Sequence, residues 1–203
     1  MIEEAGYHWS SLRTLLNTHN IPMLLLANHA SPAQRERFLT PLFEGTRQVF
    51  SAITEPDVGS NVAGIQTRAD RKGDHYVLNG RKLWITNGAW ADFGIVVART
   101  FSDTCDGKLS LFLVERDVSP FDIRHIDMMV VRSTGTAELG FADVVVPADN
   151  LLGEEGSALR LVLGGLDPGR LNVASGAVGA AQAALDLAIE HAKTRKQFGR
   201  PIG

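Results

Sequence analysis

Apolar residues recur three and four apart through SSLRTLLNTHNIPMLLLANHA, residues 10–30, the spacing that lines one face of an α-helix. Pro22 removes a backbone donor from that pattern and predicts a break there. The next run, SPAQRERFLTPLFEG, opens on Ser31 as a helix N-cap with Pro32 in the first helical position, and it should stop near Gly45. Residues 1–46 therefore read as helices whose business is packing.

From residue 47 the period shortens. HYVLNGRKLWITNG, residues 75–88, presents two β-rich runs around Asn79-Gly80, a pair that predicts a hairpin turn. Within LWITNG, alternation places Trp84 and Thr86 on one face, with Leu83 and Ile85 on the other, and the strand should end at Asn87-Gly88. An indole beside a hydroxyl suits either a flat, heteroatom-rich ring or an ordinary barrel interior. FGIVVAR, LSLFLVER, FDIRHI and AELGFADVVVP follow as further strands between turn residues. Residues 47–150 thus predict an antiparallel β-barrel of about 100 residues, a common domain size.

Residues 151–203 return to the helical period. Leu171, Ala174, Val178, Ala181, Leu185, Ala188 and Ala192 form a seam meant for other helices, and the small residues of ASGAVGAAQAAL permit close backbone approach. Pro168 should start or kink this helix. The fold class expected is α+β: N-terminal helices, a middle antiparallel β-barrel and the start of a C-terminal helical bundle.

Composition narrows the function classes. The chain has 203 residues, 44% hydrophobic and 21% charged, with a net charge of −3, so nothing points to a nucleic acid or an anionic membrane. The longest greasy run, IPMLLLANHA, is too short to span a bilayer, and no membrane insertion is expected. The lone Cys105 sits in a polar loop, FSDTCDGK, and suits a reducing compartment. The acidic opening MIEEAGYHWSS lacks the basic region of a signal peptide, and a cytoplasmic location is expected. No His/Cys cluster suggests a metal, and neither G-x-G-x-x-G nor a Walker loop occurs.

Three stretches could carry chemistry. In SAITEPDVGSNVAG, residues 51–64, a strand-like half leads into the loop EPDVGSN. Its exposed backbone N–H groups and hydroxyl could grip a carbonyl or phosphate oxygen, or Asp57 and Ser60 could simply cap a turn. In LDPGR, Asp167 could cap a helix and Arg170 could join a surface ion pair. Lys193, Arg195, Lys196 and Arg200 place positive charge at a helix C-terminus, favourable to the helix dipole and equally to a phosphate.

Taken together, ITEPDVGSNVAGIQTRA, YVLNGRKLWITNGAWAD, FADVVVP, GRLNVASGAVGAAQAALD and RKQFGRPIG occur in the order and spacing of the acyl-CoA dehydrogenase flavoproteins, and the chain resembles that family from about residue 20 to 203. The resemblance implies a helical domain, a β-barrel and a helical bundle around FAD and a fatty acyl-CoA. It makes Trp84, Ile85 and Thr86 flavin contacts, with the threonine near flavin N5. Ser51, Ala52, Ile53 and Thr54 would line the flavin, the backbone of Ile53 and Thr54 meeting its polar edge. Ser60 would reach the cofactor or the CoA, and Asp167 and Arg170 would lie on the substrate side. Arg195, Gln197 and Phe198 would reach the FAD of a neighbouring subunit in a homo-oligomer.

The chemistry implied is α,β-desaturation of an acyl-CoA, as in fatty acid β-oxidation: a carboxylate takes the α-proton, the β-hydride passes to flavin N5, and an electron-transfer flavoprotein reoxidises the cofactor. The family places its glutamate base either directly before the arginine of the LDPGR position, where Gly169 stands here, or on a later helix beyond Gly203. Glu154, Glu155 and Glu190 match neither place. The expectation is a fragment, truncated within its C-terminal helical domain and without its base. The alternatives are a non-catalytic FAD- or acyl-CoA-binding subunit, a partner of a complete dehydrogenase, or one of the family's oxidase and monooxygenase relatives. Met128 and Met129 are expected to fill core gaps.

Overall fold

The computed structural model describes all 203 residues. Helices α1 (Ile2–His8) and α2 (Ser10–His29) lead to a short helical run made of α3 (Pro32–Gln34), a π-helical turn (Arg35–Leu39) and α4 (Thr40–Glu44). Ser31 caps α3 as anticipated: its side chain accepts from the Gln34 N–H, and Gln34 returns the bond to the Ser31 N–H. Gly45 closes the run in the left-handed conformation, φ 70°. Pro22, however, does not break α2. It is buried with Leu25 and Leu26, and packing on the sheet holds helical geometry across the missing backbone bond.

The strands are β1 (Val49–Ala52), β2 (Arg68–Lys72), β3 (His75–Ile85), β4 (Phe93–Phe101), β5 (Asp106–Glu115), β6 (Asp122–His125), β7 (Ala137–Pro147) and β8 (Leu151–Leu152). They form one sheet in the order β6-β7-β3-β2-β4-β5-β8. Both β1 and β2 run parallel to β4, one beside its first half and the other beside its second, so the sheet is mixed rather than purely antiparallel. Nor does the strand path close into a barrel. It does curl strongly. In a flat sheet β3 and β5 would stand about 14 Å apart, with two strands between them at about 4.8 Å spacing. Yet the rings of Tyr76 on β3 and Phe112 on β5 meet at 4.8 Å between centroids.

That curl creates two cores. Phe93, Ile95 and Val97 of β4 and Leu109, Leu111 and Leu113 of β5 face α2, the π-turn and the root of a last helix, α5 (Ala158–Thr194). Val96, Ala98, Phe112 and Val114 point the other way, into the hollow closed by β3 and β7. Alternation therefore sends neighbouring residues of one strand into different cores, which is why β4 reads as an almost unbroken apolar run.

Asn79-Gly80 is not a hairpin. β3 passes straight through it, and its pairing with β7 shifts register between Leu78 and Gly80. Gly80 has φ 148°, and a Cβ there would sit 2.7 Å from the Thr67 Cα, so a glycine bulge is required. Asn79 in turn exchanges bonds with Asp143 of β7, its amide donating to the carboxylate at 3.0 Å and its carbonyl accepting from the Asp143 N–H at 2.9 Å. The true hairpin turn lies at Gly73-Asp74, with Gly73 at φ 63°.

Pro168 likewise does not start the last helix: α5 begins ten residues earlier, where Ala158, Leu161 and Val162 anchor its first turns in the core, and it continues through Pro168. Gly176 and Gly179 are buried against α1, and a Cβ on either would overlap α1 or Arg13. A two-stranded hairpin, β9 (Lys196–Gln197) and β10 (Arg200–Pro201), follows. Cys105 proves to be buried under Gly156 rather than displayed in a polar loop. Met129 is 86% exposed and fills no core gap, since it lies on an open loop beyond β6. No helix is long and apolar enough to cross a membrane.

Candidate functional site

Two of the segments singled out in the sequence meet where the exit of β1 lies beside the end of β3. The chain leaving β1 carries Ser51 to Glu55, and the end of β3 carries Lys82 to Ile85. The Leu83 N–H donates to the Thr54 carbonyl at 2.9 Å. One residue earlier, the Lys82 ammonium donates to the Ile53 carbonyl at 3.0 Å and to the Glu55 carboxylate at 2.9 Å. From the far side of the same turn, the Asn87 amide donates to the Val49 carbonyl at 3.1 Å. Segments 51–54 and 84–86 are thereby held side by side.

Lys82 is fully buried and Glu55 nearly so. The carboxylate also accepts from the N–H groups of Gln66, at 2.7 Å, and Thr67, at 2.8 Å. Burial raises the Glu55 carboxyl, but the bonds from Thr67 and Gln66 and the Lys82 charge outweigh it and hold the group below its ordinary value. For Lys82, burial pushes the ammonium down to about 8, against the pull of Glu55. Sequence reading passed over both residues. The available signal was phase: Tyr76, Leu78 and Lys82 share the parity of the buried face of β3, an unusual place for a lysine.

Trp84 departs from simple alternation. Its backbone is left-handed, φ 61°, Asn87 repeats that conformation at φ 65°, and β3 ends at Ile85, so regular strand alternation does not run through Trp84 and Thr86. The Trp84 side chain is 55% exposed, Thr86 is half-buried, and Ile85 belongs to the inner core. For a non-glycine residue this backbone is strained, and strain of this kind clusters where a ligand is gripped. The turn is fixed from below: Asn87 donates its N–H to Thr134 at 2.7 Å and Ala89 donates to Gly135 at 2.9 Å.

On the neighbouring segment the Ser51 hydroxyl is buried without a hydrogen-bond partner. It borders a narrow apolar cleft with Ile53, Ile21 and Leu25 of α2, and Val162 and Leu166 of α5. Gly169 stands one turn further along α5, where an added Cβ would touch Ile21 at 3.0 Å. Asp167 and Arg170 belong to the same stretch of helix but pair with each other at 2.7 Å, both well exposed. Ser60 lies exposed beyond the turn closed by reciprocal backbone bonds between Glu55 and Val58, and Asp57 and Ser60 cap nothing there.

The remaining predicted residues are elsewhere. Arg195, Gln197 and Phe198 are exposed at the far end of α5, roughly 44 Å along the axis from Leu166 at about 1.5 Å per residue. They cannot reach segments 51–54 and 84–86 of their own chain. The acidic residues offer no free base beside Ser51. Glu155 accepts from Tyr76, Ser102 and Thr104, each at 2.6 Å, and latches the base of α5 to the sheet. Glu154 and Glu190 are exposed and away from the cleft. A concavity of about 700 Å³ lies between α2, α3 and residues 148–153. None of the candidate residues lines it, and its main polar groups, Gln34 and Arg37, already bond to Asp149, Leu151 and Asn150.

Comparison with known proteins places this arrangement. Residues 51–144 match the family model described as acyl-CoA dehydrogenase, middle domain, and residues 156–203 match that of the acyl-CoA dehydrogenase C-terminal domain. A mitochondrial 2-methylacyl-CoA dehydrogenase of Solanum tuberosum is 37% identical over 185 residues, taking in 91% of this chain and 45% of that protein. Among solved structures, a glutaryl-coenzyme A dehydrogenase in complex with glutaryl-CoA superposes with a TM-score of 0.92 at 37% identity, covering 100% of this chain and 52% of that one. A glutaryl-CoA dehydrogenase of Mycobacterium smegmatis in complex with FADH2 gives 0.90 at 33% identity, covering 99% and 51%. The chain thus spans about half the length of the relatives it matches. Two family models falling in order on the two regions that meet at Ser51 and Leu166, with near-complete superposition, lead to one conclusion: the chain belongs to the acyl-CoA dehydrogenase family.

Proposed function

We propose that this chain carries the flavin-holding part of an FAD-dependent acyl-CoA dehydrogenase. The observation that supports this best is the side-by-side lock of segments 51–54 and 84–86, which leaves a buried Ser51 hydroxyl without a partner and an indole half exposed on a left-handed backbone. Such an edge offers a flat ring a stacking face together with unused polar groups. When bound, FAD would supply the redox centre for α,β-dehydrogenation of an acyl-CoA thioester. Trp84, Ile85 and Thr86 would flank its ring system, and Ser51, Ala52, Ile53 and Thr54 would orient its polar edge. The apolar cleft bordered by Ile21, Leu25, Val162 and Leu166 would exclude water on the acyl side.

Ser60, Asp167 and Arg170 would face the CoA side. Arg195, Gln197 and Phe198 would serve the FAD of a neighbouring subunit, which their distance from the home site supports. Residues 1–46, 47–150 and 151–203 would correspond to the end of the helical domain, the middle domain and the first long helix of the C-terminal domain. A cytoplasmic location and reoxidation by an electron-transfer flavoprotein complete the reading. Gly169 brings no carboxylate to the cleft, so this chain is expected to hold flavin without turning over substrate.

Titration of the purified chain with FAD, followed by quenching of flavin fluorescence, tests this. Saturable binding that is lost in Trp84→Ala is expected, with no anaerobic bleaching on addition of butyryl-CoA. Absence of saturable binding sinks the reading, and bleaching sinks the assignment of a missing base.

A further inference from the structure

We propose that buried Lys82 is a positioning residue, whose ammonium sets the spacing between the two segments that flank the flavin. The inference rests on the function proposed above and extends it to a residue that touches neither cofactor nor substrate. Lys82 has no solvent-exposed surface, and both of its bonds go to the β1 exit: 3.0 Å to the Ile53 carbonyl and 2.9 Å to the Glu55 carboxylate. In sequence it precedes by one residue the Leu83 N–H that binds Thr54, and by two the strained Trp84.

An ammonium is costly to bury, and a methionine of similar volume would fill the same space without that cost. What the charge adds is direction. A lysine that must reach two acceptors on one loop leaves a single arrangement of that loop against β3, whereas an apolar side chain would tolerate several. Glu55 transmits the restraint further, because its remaining acceptors hold Gln66 and Thr67 at the start of β2. Three pieces of backbone thus converge on one buried ion pair, directly behind the residues assigned to the flavin edge.

Removing Lys82 alone would strand a buried carboxylate and could unfold the chain for that reason. The test therefore uses the charge-balanced pair Lys82→Met/Glu55→Gln beside Lys82→Met, with urea unfolding as the control for folding. For the double variant the urea midpoint is expected to stay close to wild type, while FAD affinity falls by about tenfold, roughly the worth of one lost hydrogen bond at ~1.4 kcal/mol. Exchange of the Leu83 amide should accelerate by about the same factor, with that of Val96 in the sheet centre unchanged. Wild-type FAD affinity together with wild-type Leu83 exchange in a folded double variant would overturn the inference. Should the wild-type chain bind no FAD, the functional reading fails by itself, and Leu83 exchange then decides for or against the lock.

Discussion

Strand β4 and helix α5 are both rich in apolar residues, and they end in opposite circumstances. In β4 every residue from Phe93 to Ala98 is buried, because one parity faces the helices and the other faces the curled sheet. In α5 the buried residues are Ala158, Leu161 and Val162 at the root and Gly169, Gly176 and Gly179 further along. Leu171, Val178, Leu185 and Leu187 of the same helix are each more than half exposed. Apolar pattern fixes which residues can be buried; only neighbours within reach decide which ones are. The sheet finds its neighbours inside these 203 residues, and the outer face of α5 does not.

Truncating each region should sharpen that contrast most. Phe112→Ala, in the middle of the inner core, is expected to cost about 3–5 kcal/mol in urea unfolding, the usual range for an aromatic deleted from a packed interior. Leu185→Ala should cost under about 0.5 kcal/mol. Equal costs would break the comparison and mean that copies of the chain cover the seam in solution.

The glycine face of α5 is where its distal half packs on α1. Gly179→Val should lift α1 from the helix, with a loss of about 1–3 kcal/mol. Limited proteolysis is expected to cut within residues 1–9 of the variant while leaving β3 to β5 intact. A variant as resistant as wild type would show that α1 can shift without penalty.

Titration separates the regions next. Glu55 has its folded value held below the ordinary carboxyl value of 4.5, so it contributes stability that is present above that pH and lost as pH falls through the folded value. Lys82, pushed down to about 8 from 10.5, behaves oppositely to a lysine gaining a surface partner. Between those two values the unfolded chain binds the extra proton, so this group's contribution to stability rises with pH across that window. Glu55→Gln should flatten the acid limb of a stability profile, and Lys82→Met the alkaline one. An unaltered profile in either variant would mean that the pair is not the titrating unit.

Much of this fold was legible in the chain. The helix–sheet–helix order, the Ser31 cap and five of the strands follow from period and capping residues alone. The misreadings share a cause, since each took a local signal where a tertiary contact prevailed. Asn79-Gly80 has hairpin chemistry, yet the approach of Thr67 makes it a bulge. Pro22 and Pro168 are helix breakers, yet residues buried around each carry the helix through. Of the candidate site, the two segments proposed to flank the flavin stood out in the sequence because each is a contiguous motif. The Lys82–Glu55 lock was not, since its partners lie 27 residues apart and join only when β3 returns beside β1.

The smallest effect expected belongs to Asp167 and Arg170. Their ion pair is short, 2.7 Å, but both side chains are more than two-thirds exposed on α5, where water screens the attraction and ordering two side chains offsets it. Arg170→Ala should therefore change the free energy of unfolding in urea by less than about 0.5 kcal/mol, matching Leu185→Ala on the same helix. That near-neutrality makes the position informative. A residue that contributes nothing to the fold can lose acyl-CoA affinity for one reason, a direct contact with the ligand. If the variant keeps its stability while the chain's affinity for an acyl-CoA drops, the substrate-side assignment of Arg170 stands. If both stay unchanged, the pair is a surface ornament of the helix, and the outer face of α5 beside the cleft contributes to neither folding nor binding in this chain.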